Sequence, residues 1–116
     1  MNTIKMLCLS VALLTILPAL AQTTKFDGNY SGVSGKSLGG TVNCPPVPTP
    51  APLTISNGTA QSQGGGSFQG TVGADGAVVL HDKGNNRYQG TIDGTGLLKV
   101  GGGTPRCNFE FVWQKR

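Results

Sequence analysis

The side chains that could carry catalysis are few and scattered along the chain. The sequence has one histidine, His81, and Asp82 follows it directly. A His–Asp pair can activate a nucleophile only when a third group lies within hydrogen-bond reach. No serine or cysteine has a spacing that assigns it to this pair, and on a strand His81 would face away from Val78 and Leu80. We therefore predict no catalytic residue, and the alternative of a hydrolase rests on this pair alone.

Metal and cofactor sites are not indicated either. A lone histidine among dispersed carboxylates lacks the convergent ligands that a metal site needs. The glycine runs at 64–66 and 101–103 adjoin predicted strands rather than a helix, so they do not fit a phosphate-binding loop. We predict no metal and no cofactor.

The first 21 residues have the organisation of a cleavable secretory signal peptide. A lysine precedes an apolar run, which is followed by a proline and an Ala-Leu-Ala triplet. The alternative of a membrane anchor is disfavoured because the apolar run is shorter than the roughly 20 residues that a span needs. We expect export to the periplasm or the medium, with residues 22–116 as one domain that has no transmembrane segment.

Two cysteines remain once Cys8 leaves with the signal peptide. Cys44 and Cys107 would reach an oxidising compartment and can form one pair, so we predict a Cys44–Cys107 disulfide. Such a bond closes a loop of about 60 residues, for which chain entropy gives about 4 kcal/mol of stabilisation. The alternative of a metal or redox site lacks the close spacing of a CxxC motif.

The net charge of +4 does not indicate a polyanion partner. The lysines and arginines are spread singly, except for the adjacent Lys115 and Arg116, whereas nucleic-acid binders cluster them on one face. We expect a monomer that binds no nucleic acid.

Alternating apolar and polar residues predict an all-β chain. Period-two patterns occupy residues 67–72, 87–92 and 107–113, and turn residues such as Asn57-Gly58 separate them. The predicted strands lie near 26–33, 38–43, 53–56, 59–63, 67–73, 77–82, 86–93, 97–101 and 106–114. Eight or nine short antiparallel strands indicate either an up-and-down barrel or a two-layer meander.

One segment, Cys44 to Pro52, resists the strand pattern. Its sequence, CPPVPTPAP, is rich in prolines that cannot donate to a β-ladder, so we predict an extended crossover or flap. If this segment protrudes, Pro46, Val47 and Pro48 are the candidates for docking on a partner.

The predicted core takes the inward position of each strand. Its members are Phe26, Tyr30, Leu53, Ile55, Phe68, Val72, Val78, Leu80, Tyr88, Ile92, Leu98, Val100, Phe109, Phe111 and Trp113. If the interior is open, Tyr30, Tyr88 and Trp113 would line a small ligand pocket. We expect instead that aromatic side chains fill the interior.

A repeat relates residues 67–80 to residues 87–100 without a gap. Both copies contain an aromatic residue, then any residue, glycine, threonine and a β-branched residue. A glycine on the inward face allows a sheet to coil tightly, so we interpret the repeat as a folding device. The alternative is a pair of polar ligand positions on the outer face, either Gln69 and Gln89 or Thr71 and Thr91.

The segments FDGNYSG and FVWQKR, together with a single disulfide and the F/Y-x-G hairpins, resemble those of small exported bacterial β proteins. This resemblance implies a fold and no activity. In size and class the chain is also loosely similar to the barrel-shaped hydrolase inhibitors of the bacterial periplasm. We therefore expect a non-enzymatic binding or inhibitor-type module whose partner is an envelope or secreted protein. The alternative is a carrier that holds a small ligand in the barrel interior or mouth.

Overall fold

The computed structural model describes residues 23–40, 43–64 and 68–116, and the predicted signal peptide lies outside them. The described chain forms eight strands and contains no helix that could cross a membrane. The strands are β1 (Gly28–Gly40), β2 (Leu53–Ser56), β3 (Thr59–Ser62), β4 (Gln69–Val72), β5 (Ala77–His81), β6 (Arg87–Ile92), β7 (Leu97–Gly103) and β8 (Cys107–Lys115).

These strands form a closed antiparallel barrel. Each strand pairs with the next along the chain, and β8 pairs with β1 to complete the ring. The all-β prediction is confirmed, and closure selects the up-and-down barrel over the two-layer meander. The predicted disulfide is also present, with the Cα atoms of Cys44 and Cys107 5.6 Å apart.

One detail of the strand prediction is wrong. The segments predicted near 26–33 and 38–43 form a single strand, β1, although residues 41–42 of the second lie outside the described chain. Glycines and serines in the middle of β1 have the composition of a loop, but the long partner β8 pairs with them across two register shifts. These irregularities leave the side chains of Val33 and Leu38 about half exposed, at 52% and 54%.

The barrel interior is one apolar cluster. Of the predicted core residues, all are buried except Phe109, which is partly exposed and packs against the cluster. Ala60 joins them on β3. The period-two pattern succeeds here because an antiparallel barrel buries one face of every strand.

The two repeat glycines lie where strands approach closely. A Cβ atom on Gly70 would overlap the carbonyl oxygen of Val79, and one on Gly90 would overlap that of Lys99. Each glycine shares the inward face with the buried residues two positions away, which are Phe68 and Val72 for Gly70, and Tyr88 and Ile92 for Gly90. These contacts support a folding role for the repeat, because any larger residue would push adjacent strands apart.

The two ends of the barrel are built differently. At the turn end, the chain reverses at Asn57-Gly58, at residues 73–76 and at residues 93–96. At the mouth end lie the loops that join β3 to β4, β5 to β6 and β7 to β8, together with the crossover from β1 to β2. We call residues 44–52 of this crossover the flap.

Candidate functional site

The flap is fixed at both of its ends. The Cys44–Cys107 disulfide joins its start to the first residue of β8. Near its end, Nε1 of Trp113 donates a hydrogen bond of 2.9 Å to the carbonyl oxygen of Ala51. The indole N–H of the fully buried Trp113 is therefore satisfied by the flap rather than by water.

Two glycines of β1 make room for the flap inside the mouth. Gly32 pairs with Trp113 and Gly35 pairs with Phe111, so both glycines belong to the inward face of the sheet. A Cβ atom on Gly32 would overlap the carbonyl oxygen of Pro50, and one on Gly35 would overlap that of Pro48. The flap thus lies across the inner face of β1, and Pro50 is buried there.

A cavity of about 370 Å³ lies between the flap and the end of the core. It is lined by the residues Val47, Pro48, Thr49, Pro50, Ala51, Ser62, Phe68, Asp82, Tyr88, Phe109 and Phe111. We call it the mouth cavity. Its size is within the range of small-ligand sites, and apolar walls with few polar groups are typical of them.

Aromatic rings form the floor of the mouth cavity. Phe68 meets Tyr88, Phe111 and Trp113 in edge-to-face contacts, with ring centroids 5.3, 5.0 and 5.5 Å apart. Tyr88 and Phe111 also meet edge to face, at 5.5 Å. Mutual packing of these rings favours a floor that is preorganised for a ligand.

Asp82 supplies the only charge among the residues that line the mouth cavity. Its Oδ1 accepts hydrogen bonds from the backbone N–H groups of Gly84 and Asn86, both at 2.9 Å. Its Oδ2 accepts one from the phenol of Tyr88 at 2.9 Å, and Nδ2 of Asn86 reaches both oxygens. The carboxylate therefore holds the β5–β6 loop together and orients Tyr88.

This hydrogen bonding shifts the pKa values of Asp82 and Tyr88. Partial burial acts to raise the pKa of Asp82, but the hydrogen bonds from Asn86, Tyr88 and Gly84 outweigh it and lower the pKa. Burial, followed by the hydrogen bond to Asp82 and its negative charge, raises the pKa of the Tyr88 phenol. At neutral pH the pair is a carboxylate and a neutral phenol.

Of the three predicted pocket residues, the structure places one in the mouth cavity. Tyr88 lines it, whereas Tyr30 and Trp113 are fully buried and do not. The phenol of Tyr30 donates a hydrogen bond of 2.6 Å to the carbonyl oxygen of Phe26, toward the turn end. Trp113 lies behind the site and contacts it through Phe68 and the flap.

The docking candidates divide between the two faces of the flap. Val47 packs against the core and lines the mouth cavity. Pro48 lines the cavity while remaining exposed, and Pro46 is exposed outside it. The flap is therefore a cover over the mouth, with one face turned to solvent.

The sequence singled out Asp82 only as the neighbour of His81 in the hydrolase alternative, and it did not single out Ser62. Asp82 stands after a strand at the start of a Gly-Asn loop, which is a signal for a capping turn rather than for a cavity. Its carboxylate bonds to Gly84, Asn86 and Tyr88 rather than to His81, which lies on the outer alternation of β5. The described residues contain no group of three His, Cys, Asp or Glu side chains that could hold a metal ion.

Comparisons of the chain with protein-family models, with curated proteins and with solved structures find no match.

Proposed function

We propose that this chain is an exported, non-enzymatic binding module whose mouth cavity holds a small and mainly apolar ligand. The observation that carries the proposal is the mouth cavity itself, about 370 Å³ of space between a tethered flap and a packed aromatic floor. A barrel of this size can fill its interior with side chains, as the centre of this one does. Open space that remains beneath a cover is typical of a ligand site.

The construction of the flap supports a binding role further. Its disulfide, its hydrogen bond to Trp113 and the two glycines beneath it hold it over the mouth without filling the mouth. A site that is fixed before the ligand arrives loses less conformational entropy on binding. The disulfide also accords with the export that the signal peptide predicts.

The proposal is tested by titrating the oxidised domain, residues 22–116, with toluene while recording amide NMR spectra. We expect saturable shifts at Val47, Thr49, Ala51 and Phe68, with no change at Gly96 of the turn end. Substitution V47F should abolish these shifts because a larger side chain at this position occupies the cavity. V33F is the matched control, since Val33 is an exposed residue of β1.

Two results would overturn the proposal. One is the absence of saturable shifts at any amide of the flap or floor. The other is equal binding by the wild type and by folded V47F, which would place the toluene elsewhere on the molecule.

A second candidate function uses the outer face of the flap. Pro45, Pro46 and Pro48 are exposed on a segment that is tied down at both ends, and a rigid extended segment is suited to docking on a protein such as a hydrolase. Capture of an envelope or secreted protein by the wild type but not by P46A/P48A would support it. Equal capture by both would remove the flap from the docking surface.

A further inference from the structure

We propose that the ligand of the mouth cavity is a compact organic cation without N–H donors, of the quaternary ammonium class. The inference rests on the proposed function and names the chemistry of the ligand. Three features of the mouth cavity carry it: an unpaired negative charge, the saturation of that charge by hydrogen bonds, and the aromatic walls.

The negative charge of Asp82 has no cationic partner within the described chain. The ion pair found among residues 23–40, 43–64 and 68–116 joins Lys36 to Glu110 at 3.5 Å, on the outer face. Lys83 and Arg87 are near Asp82 in sequence, but both are exposed and neither comes within 4.0 Å of its carboxylate. A cation inside the mouth cavity would be attracted to this charge. An anion would be repelled.

The oxygens of Asp82 have little capacity left for a further donor. They accept five hydrogen bonds in all, three at Oδ1 and two at Oδ2. A carboxylate offers about four lone-pair positions. A primary ammonium that entered the cavity would lose its hydration without finding an acceptor on this carboxylate, and that loss is costly. A quaternary ammonium has no N–H groups to satisfy and responds to the charge alone.

The walls of the mouth cavity suit the same chemistry. Phe68, Tyr88, Phe109 and Phe111 line it together, opposite the proline rings of the flap. The negative face of an aromatic ring attracts a cation, and aromatic enclosures are the common way to recognise methylated ammonium groups. The methyl groups would also bury apolar surface against the same rings.

The experiment compares two ligands of the same shape and a smaller primary ammonium by calorimetry and amide NMR. They are choline, its uncharged carbon isostere 3,3-dimethylbutan-1-ol, and ethanolamine. We expect choline to bind at the flap and floor at least about tenfold more tightly than either of the others.

Two variants separate charge from shape. D82N keeps an acceptor at one side-chain oxygen and removes the charge, so the preference for choline over the neutral isostere should fall to less than about threefold. D93N is the matched control, because Asp93 caps a turn in a similar way at the opposite end of the barrel. The D93N variant should prefer choline over the neutral isostere by the same factor as the wild type.

A third variant tests the saturation of Asp82 and provides a result if D82N fails to fold. Y88F removes the hydrogen bond to Oδ2 while retaining the charge, so ethanolamine should gain relative to choline. If the wild type and Y88F prefer choline over ethanolamine by the same factor, the hydrogen bonds to Asp82 are not what excludes N–H donors.

The outcomes distinguish this inference from the proposed function. Equal binding of choline and its neutral isostere by the wild type would overturn the cation preference, while toluene binding would still support an apolar ligand site. Equal binding of choline and ethanolamine would overturn the exclusion of N–H donors. If toluene and all three ligands fail to bind, the proposed function itself is wrong.

Discussion

The two ends of the barrel are built differently, and among the described residues the cavity at the mouth end is larger and more apolar than the one at the turn end. At the turn end, three glycine carbonyls accept backbone hydrogen bonds from the next hairpin or from β8. Gly58 bonds to Val72 at 2.8 Å, Gly76 to Ile92 at 2.8 Å, and Gly96 to Lys115 at 2.9 Å. These bonds join neighbouring strands of the ring, so they extend the β-ladder into the turns.

The mouth end is closed by a separate segment of chain. The flap is held by a disulfide, a single side-chain hydrogen bond and two glycine contacts. The resulting volumes differ accordingly, at about 370 Å³ under the flap and about 140 Å³ at the turn end. The smaller pocket is lined by Lys25, Asp93, Thr95 and Lys115 among others, so it is polar where the mouth cavity is aromatic. The larger and more apolar of these two spaces therefore lies under the tethered flap.

The disulfide should carry the greatest single contribution to stability, and it belongs to the mouth end. The double substitution C44S/C107S opens a loop with a sequence separation of 63 residues. We expect the free energy of unfolding to fall by about 4 kcal/mol, measured by guanidinium unfolding with Trp113 fluorescence. The reduced wild type should match the variant. A loss below about 1 kcal/mol would contradict the dependence of the flap on its tether.

The turn end should be the more sensitive to an added methyl group. Gly76 has a φ of +88°, and a Cβ atom there would lie 2.6 Å from the carbonyl oxygen of Ile92. We expect G76A to cost about 3 kcal/mol, since a strained backbone conformation adds to a steric clash. G94A is the control, because a Cβ atom at Gly94 meets nothing within 4 Å. Its unfolding free energy should lie within about 0.5 kcal/mol of the wild type.

A methyl group beneath the flap should act locally. In G35A, the Cβ atom would overlap the carbonyl oxygen of Pro48 and lie 3.1 Å from the ring of Phe111. We expect a loss of about 1–2 kcal/mol, smaller than that of G76A because Gly35 is not among the glycines with a positive φ and adds no backbone strain. Hydrogen exchange should accelerate at Val47, Thr49 and Ala51 and not at the turn end. The control G101A has only a distant contact, and unchanged exchange in G35A would contradict the packing of the flap.

The smallest effects concern the acid dependence of stability. Asp82 has a lowered pKa, because hydrogen bonds outweigh the opposing effect of burial, and Asp93 has one because Thr95 and Leu97 donate to it. A carboxyl group whose pKa is lower in the folded state stabilises the fold at pH values above its pKa in the unfolded state. This stabilisation is lost as the pH falls through its pKa in the folded state. We expect D82N to cost about 1 kcal/mol at neutral pH, allowing for solvent screening. Urea unfolding from pH 6 to pH 2 should show a weaker pH dependence in D82N and in D93N than in the wild type. An unchanged dependence would mean that these bonds do not persist in solution.

The strands and the core follow from local patterns in the sequence. Period-two alternation and the Asn57-Gly58 turn act over a few residues, and every strand pairing except that of β1 with β8 joins strands that follow each other in the chain. The single strand β1 was not predicted because the glycines and serines in its middle are paired only with the long strand β8, which is far away in the chain.

The mouth cavity follows much less from sequence. The prolines of the flap indicate an extended segment, but not whether it protrudes or lies over Gly32 and Gly35. The pairing of Asp82 with Tyr88 depends on a loop conformation that neither residue specifies alone. The alternation also places both Tyr88 and Trp113 on the inward face. It does not say how far along the barrel each one lies, and this position decides that Tyr88 lines the cavity and that Trp113 lies behind it.

The most direct test of the mouth cavity as a binding site is a crystal structure of the oxidised domain soaked with bromobenzene. We expect an anomalous bromine peak between the flap and the rings of Phe68 and Phe111, and no such peak in V47F. A mouth filled by its own side chains, or a peak confined to the turn end, would contradict the assignment of the binding site to the mouth.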